Sequence, residues 1–225
     1  MFIGHIAVAL GAKKVAPKVS LGTLLISAQF LDLLWPILLI LGVEHVRIDP
    51  GNTAVTPLDF YDYPISHSLV TSIGWSVLFG LGYFLIRRNK MGAWILGAGV
   101  FSHWFLDFIT HRPDLPLAPG MPTYFGLGLW YSLPLTAIVE GLMFVAGIIL
   151  YLRSTIALDR IGTYAFWGLI IFLVAIWFGN TFGPPPPNVN SLGYVGLSLW
   201  LLVAWAYWID RHRKPEQGPS PAQPA

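Results

Sequence analysis

Six apolar runs, near residues 21–43, 67–86, 92–111, 129–152, 162–179 and 192–210, are each long enough to cross a bilayer, since about 20 predominantly apolar residues span its hydrocarbon. A chain carrying them is not expected to fold in water: only 11% of its residues are charged, against about 25% in soluble domains. The expected fold class is all-α, a polytopic membrane protein with about six transmembrane helices. Residues 1–214 are expected to form a single integral-membrane helical domain, and 215–225, rich in Pro, Ser, Gln and Gly, a disordered cytoplasmic tail. The apolar stretch 2–10 is too short to span and precedes Lys13, Lys14 and Lys18. A signal peptide has the reverse order, charges first. It is read as a short N-terminal helix, re-entrant or interfacial.

Orientation follows from the basic residues, which are enriched in cytoplasmic loops. Lys13, Lys14 and Lys18 precede the first span, Arg87, Arg88 and Lys90 join the second to the third, Arg153 and Arg160 join the fourth to the fifth, and Arg211, Arg213 and Lys214 follow the sixth. The alternate loops hold only Arg47 and Arg112. Both termini are therefore expected on the cytoplasmic side. The outer loop 44–66 interleaves Glu44, Asp49, Asp59 and Asp62 with Tyr61 and Tyr63, the loop 112–128 is rich in Pro and Gly, and 184–187 is a run of proline.

Against this background the stretch SHWFLDFITHR stands out, with His103, Asp107 and His111 at intervals of four. Ionisable side chains in hydrocarbon are costly, and this spacing puts them on roughly one helix face. From the outer end, Asp107 lies about 6 Å and His103 about 12 Å below His111. Asp32 falls near the middle of the first span, His67 opens the second between Ser66 and Ser68, and Glu140 lies within the fourth. Two carboxylates and two imidazoles (Asp32, His67, His103, Asp107) make a ligand set suited to a divalent metal ion, zinc, manganese or iron. There are no cysteines, which removes thiolate sites and disulfides. A half-helix entering from the cytoplasmic side would carry His5 about 15 Å inward, towards Asp32.

With Gly4-His5, Asp32 in QFLDLLWP, Ser66-His67-Ser68 and His103-x3-Asp107 in view, the chain resembles the bacterial membrane-bound metal-dependent hydrolases, the LexA-regulated inner-membrane group, over about residues 1–140. Where that family often carries an acidic pair in the first span, this chain has Leu31-Asp32-Leu33. The resemblance implies a bacterial inner-membrane protein in which His5, Asp32, His67, His103 and Asp107 hold a divalent ion that activates water, with Glu140 or Asp62 as catalytic base. It further implies a lipid-like phosphodiester or ester substrate at the outer leaflet, contacted by Trp104, Trp130 and His111, with Arg112 pairing a phosphate.

Two other readings stay open on the residues alone. Intramembrane His and Asp also serve proton or cation relays, so a transporter or ion pathway is one. A non-catalytic subunit of a larger membrane complex, packing through the nearly uncharged helices 162–179 and 192–210, is the other. The expected partners are membrane lipids and a membrane protein complex or homo-oligomer, and not nucleic acid.

Overall fold

The computed structural model describes residues 1–216, and the chain is predominantly helical. Helix α1 (Phe2–Ala12) is followed by α2 (Leu21–Ala28) and α3 (Phe30–Ile40), then a hairpin of β1 (His45–Ile48) and β2 (Leu58–Asp62). A single turn, α4 (Pro64–His67), leads into α5 (Leu69–Arg87) and α6 (Lys90–Thr110). After the short strands β3 (Leu115–Pro116) and β4 (Tyr124–Phe125) come α7 (Leu133–Leu152), β5 (Thr155–Ala157), α8 (Arg160–Phe182), α9 (Val189–Leu197), α10 (Leu199–Arg211) and β6 (Arg213–Pro215). Among the described residues five helical segments are long and apolar enough to cross a membrane, α5, α6, α7, α8 and the continuous run of α9 and α10, or six if the bent pair α2 and α3 is one span.

Polar side chains set where these helices start. Ser68 accepts from the Thr71 amide at the head of α5, Asn89 from Gly92 at α6, Ser132 from Leu135 at α7, and Asp159 from Gly162 at α8. Each satisfies an amide that the helix itself leaves unpaired. The outward surface of α5 shows Val70, Ile73, Val77, Leu78, Leu81 and Leu85 exposed. In water such a face is an aggregation liability; in hydrocarbon it is ordinary.

Between apolar helices in lipid, close backbone approach replaces the hydrophobic effect as the source of packing. A Cβ built on Gly80 of α5 would lie 2.9 Å from the Ala93 carbonyl of α6. In the same interface Ser76 Oγ donates to the Gly97 carbonyl at 2.6 Å. Helix α1 packs chiefly along α7, with α2 and α6 beside it, and its Ile3, His5, Ile6, Ala7, Ala9 and Leu10 are buried. It is a short helix packed inside the bundle rather than on its surface.

The sequence reading is corrected in three places. Residues 21–43 do not form one straight helix: the chain bends by 60° between α2 and α3, at Gln29 with φ −105° and ψ 11°. Pro36 lies inside α3 and is not the breaking point. The loops 44–66 and 112–128 contain short strand pairs within a helical fold; β1 and β2 are antiparallel, and Gly51 between them has φ +95°. The expected tail begins in ordered structure, because β6 pairs with β5 through Pro215 and Thr155 and Glu216 donates its amide to the Ser154 carbonyl at 2.9 Å. The rest of that tail lies outside the described residues.

Candidate metal centre

The bend at Gln29 has a chemical consequence. It takes the Ala28 carbonyl out of the run of helical hydrogen bonding, and His103 Nδ1 bonds that carbonyl at 2.8 Å. A buried backbone carbonyl freed from a helix needs another partner, and His103 supplies it here. The bend also places Asp32, in the first turn of α3, opposite His103 of α6.

Around this point the helices converge. His103 Nε2 lies 3.2 Å from Asp107 Oδ2 and 3.6 Å from Asp32 Oδ1. His67 Nε2, at the end of α4, lies 3.6 Å from Asp32 Oδ1 and 3.8 Å from Asp107 Oδ2. Zinc–nitrogen and zinc–oxygen bonds of about 2.0–2.1 Å set the edge of a tetrahedron at about 3.3–3.4 Å. The four His–Asp edges lie between 3.2 and 3.8 Å, and Asp32, His67 and His103 are close enough together to share one ion.

In the neutral form of each ring, the nitrogens facing this point carry lone pairs, as a ligand requires. His103 spends its Nδ1–H on Ala28, leaving Nε2 buried without a hydrogen-bond partner among the described residues. His67 Nδ1 bonds Ser66 Oγ at 2.6 Å, and that hydroxyl donates to Glu44 Oε2 at 2.6 Å. With the hydroxyl proton committed to Glu44, His67 Nδ1 is the donor and Nε2 carries the lone pair. Two neutral imidazoles with lone pairs directed at two carboxylates repel unless positive charge, a metal ion or a proton on one ring, lies among them.

His5 stands behind this set. Its ring stacks on His103 with centroids 3.6 Å apart and an interplanar angle of 4°, and its Nε2 bonds Asp107 Oδ1 at 3.1 Å. The Met1 amine also donates to that oxygen, at 2.8 Å. Asp107 is therefore divided: Oδ1 is held by α1, and Oδ2 faces His67 and His103. His5, His103 and Asp107 also lie close enough together to form a ligand group of their own, sharing His103 with the group Asp32, His67 and His103.

The residues expected to act as base lie elsewhere. Glu140 of α7 is buried against α1 and accepts the Ile3 amide at 3.3 Å, and it does not line the cavity that reaches the cluster. Asp62, at the end of β2, is bonded to His45 Nδ1 at 2.8 Å on the hairpin. Neither is placed to take a proton at the cluster. Arg112 is not free for phosphate: it bonds Asp59, Asp114 at 3.1 Å and Asn52 at 2.6 Å. Partial burial works against its charge, yet Asp114 and Asp59 outweigh that and hold its pKa above the usual value.

Of the remaining substrate-contact candidates, His111 and Trp130 line the cavity and lie with ring centroids 4.2 Å apart. Trp104 does not line it; its ring stacks on Phe108 at 5.7 Å in the outer apolar cluster. The cavity has a volume of ≈ 510 Å³, with Asp32, His67, Asp107 and Tyr63 at its polar end. Tyr63 donates to Asp114 at 3.0 Å, and its burial, with Asp114 and Asp107 nearby, raises its pKa well above the normal tyrosine value. It therefore stays a hydrogen-bond donor far into the alkaline range.

Glu44 is the residue that sequence reasoning passed over, as one acid among several in an outer loop. It is fully buried and accepts from the Ile65 amide at 2.7 Å, the Ser66 amide at 2.8 Å and the Ser66 hydroxyl. Only the neighbouring Ser66-His67 pair hinted at this. Outer partners of ligating histidines typically control metal affinity by 10–100-fold. Glu44→Gln is expected to weaken metal binding by about that factor in competition with a chelator; unchanged affinity alongside a lowered melting temperature would reduce Glu44 to a structural brace.

Comparison of the chain with protein-family models, with characterised proteins and with solved structures gives no match.

Proposed function

We propose that the protein is a membrane-embedded metal-dependent hydrolase of the kind its motifs resemble, cleaving an ester or phosphodiester bond in a lipid-like substrate at the outer leaflet. In this reading it has six spans in a bacterial inner membrane, with both termini cytoplasmic. The observation that carries it is the set of four edges of 3.2–3.8 Å joining His67 and His103 to Asp32 and Asp107. A divalent ion bound there supplies a Lewis acid that polarises an acyl or phosphoryl oxygen and makes water acidic.

The chain's own residues divide the remaining work. Glu44 and Ala28 fix the tautomers of His67 and His103, and α1 holds Asp107 from behind through His5. In place of Glu140 and Asp62, His111 is the group positioned to exchange a proton with a ligand in the cavity. Its Nδ1 is taken by Asp114 at 2.9 Å, which leaves Nε2 for that ligand. Ile6, Leu10, Leu21, Leu25, Leu173 and Leu202 surround a void of only ≈ 10 Å³, too small for a hydrated path, and a recess of ≈ 290 Å³ along α1, α2 and α6 is lined by apolar groups apart from Ser27 and Ser102, so neither continues the ionisable set beyond the cluster. That one-sidedness favours an enzyme over a relay across the membrane.

The test is metal analysis of the protein purified in mild detergent, followed by turnover of a panel of fluorescent phospholipids. Bound divalent metal and hydrolysis that disappears in His103→Ala are expected. Absence of metal after gentle preparation would sink the reading. Proteoliposome ion flux abolished by Asp32→Asn, without lipid hydrolysis, would replace it with transport.

A further inference from the structure

The ≈ 510 Å³ cavity extends well beyond the His/Asp cluster. Its long arm is walled by Phe172 and Ile176 of α8, Val195 of α9 and Leu199 and Leu202 of α10, on the two C-terminal hydrophobic segments that the sequence marked only as packing surfaces. Burial changes along it: His67 and Asp107 at one end are buried, whereas Phe172 and Val195 at the other are 42% and 67% exposed. Helix α8 packs along α10 and makes no comparable packing with α9, which lies instead on α3. That seat is tight, since a Cβ on Gly196 would meet Pro36 at 2.6 Å. The result is a gap between α8 and α9, on the half of α8 remote from Arg160.

Arg160 belongs to the basic set that marks the cytoplasmic side, so the gap opens at the level of the outer leaflet. An opening with apolar walls at that depth meets acyl chains rather than water. A polar metal-ligand cluster at the closed end and hydrocarbon walls leading to the membrane complement an amphiphile and no water-soluble ester. We propose that this arm is a binding site for one hydrocarbon chain of an outer-leaflet lipid, entering sideways between α8 and α9. The proposal rests on the hydrolase reading in placing the lipid's scissile group at the metal cluster; the chain site itself is a separate claim.

The probe is a phospholipid with a photoreactive diazirine in one acyl chain, added to the full-length protein in phosphatidylglycerol–phosphatidylethanolamine vesicles, with adducts mapped by mass spectrometry. Adducts are expected in segments 172–180 and 192–202, and Val195→Trp is expected to lower them about 10-fold, a factor corresponding to 1.4 kcal/mol. Val77→Trp, on the exposed face of α5, serves as control and is expected to change nothing. Val195→Trp should also slow hydrolysis of a long-chain lipid while leaving metal content and cleavage of a short-chain ester intact. Labelling of the arm without any turnover supports the chain site and overturns hydrolysis. Turnover that ignores Val195→Trp, with adducts spread over α5, overturns the chain site and leaves hydrolysis standing. Disulfide formation between copies carrying Val195→Cys, in a chain with no cysteine of its own, would likewise overturn it, in favour of a homo-oligomer contact.

Discussion

Asp107→Asn is expected to strip the protein of its metal while Asp32→Asn only weakens binding. The two carboxylates differ in their surroundings. The Asp107 side chain is 3% exposed and meets His5, His67, His103 and the Met1 amine within 3.8 Å. The Asp32 side chain is 30% exposed and faces the cavity. Asparagine keeps the volume of aspartate and removes its charge. Both carboxylates line the cavity, but around the nearly buried Asp107 the packed partners leave little room for a replacing water, and loss of one partner from a buried charged set typically costs 3–5 kcal/mol. At position 32, water in the cavity can occupy the vacated coordination site. Metal content by mass spectrometry and melting temperature in detergent read both outcomes: Asp107→Asn should lose metal and stability together, and Asp32→Asn should lose mainly affinity. Full metal retention in Asp107→Asn would remove Asp107 from the ligand set.

The membrane-length helices and the cluster were legible in the sequence for related reasons. A run of about 20 apolar residues has few other fates, and ionisable residues inside such runs must find one another or pay for isolation. His67, His103, Asp32 and Asp107 were thus marked by their surroundings before any geometry was known. What escaped was set by tertiary context. The 60° bend falls at Gln29, with neither Pro nor Gly at that position; its reward is the Ala28–His103 bond, made by a residue 75 positions later. The role of Glu44 depends on the hairpin and α4 folding back on it. Arg112 read as an available cation because Asp59, Asn52 and Asp114, which occupy it, lie on two different loops. Glu140 read as a base because depth along α7 was countable and the direction it faced was not.

Helix α1 supplies the last large effect, through a residue that carries no chemistry. A Cβ on Gly147 of α7 would lie 2.7 Å from the Ala7 carbonyl oxygen and 2.9 Å from its Cα. These are backbone atoms and cannot rotate away, so α1 must move. Ala7 is two residues from His5, and His5 holds Asp107 Oδ1 and stacks on His103, so displacement of α1 reaches the cluster directly. Overpacking of this kind typically costs 1–3 kcal/mol. Gly141, on the same helix, has open space where its Cβ would sit, and there alanine gains roughly 1 kcal/mol of helix propensity. The two glycines should therefore respond with opposite signs: Gly147→Val lowers the melting temperature and the metal affinity together, whereas Gly141→Ala leaves affinity alone and raises the melting temperature slightly. If Gly147→Val bound metal as tightly as the parent, the contact between α1 and α7 would be packing only, and His5 would not belong to the centre.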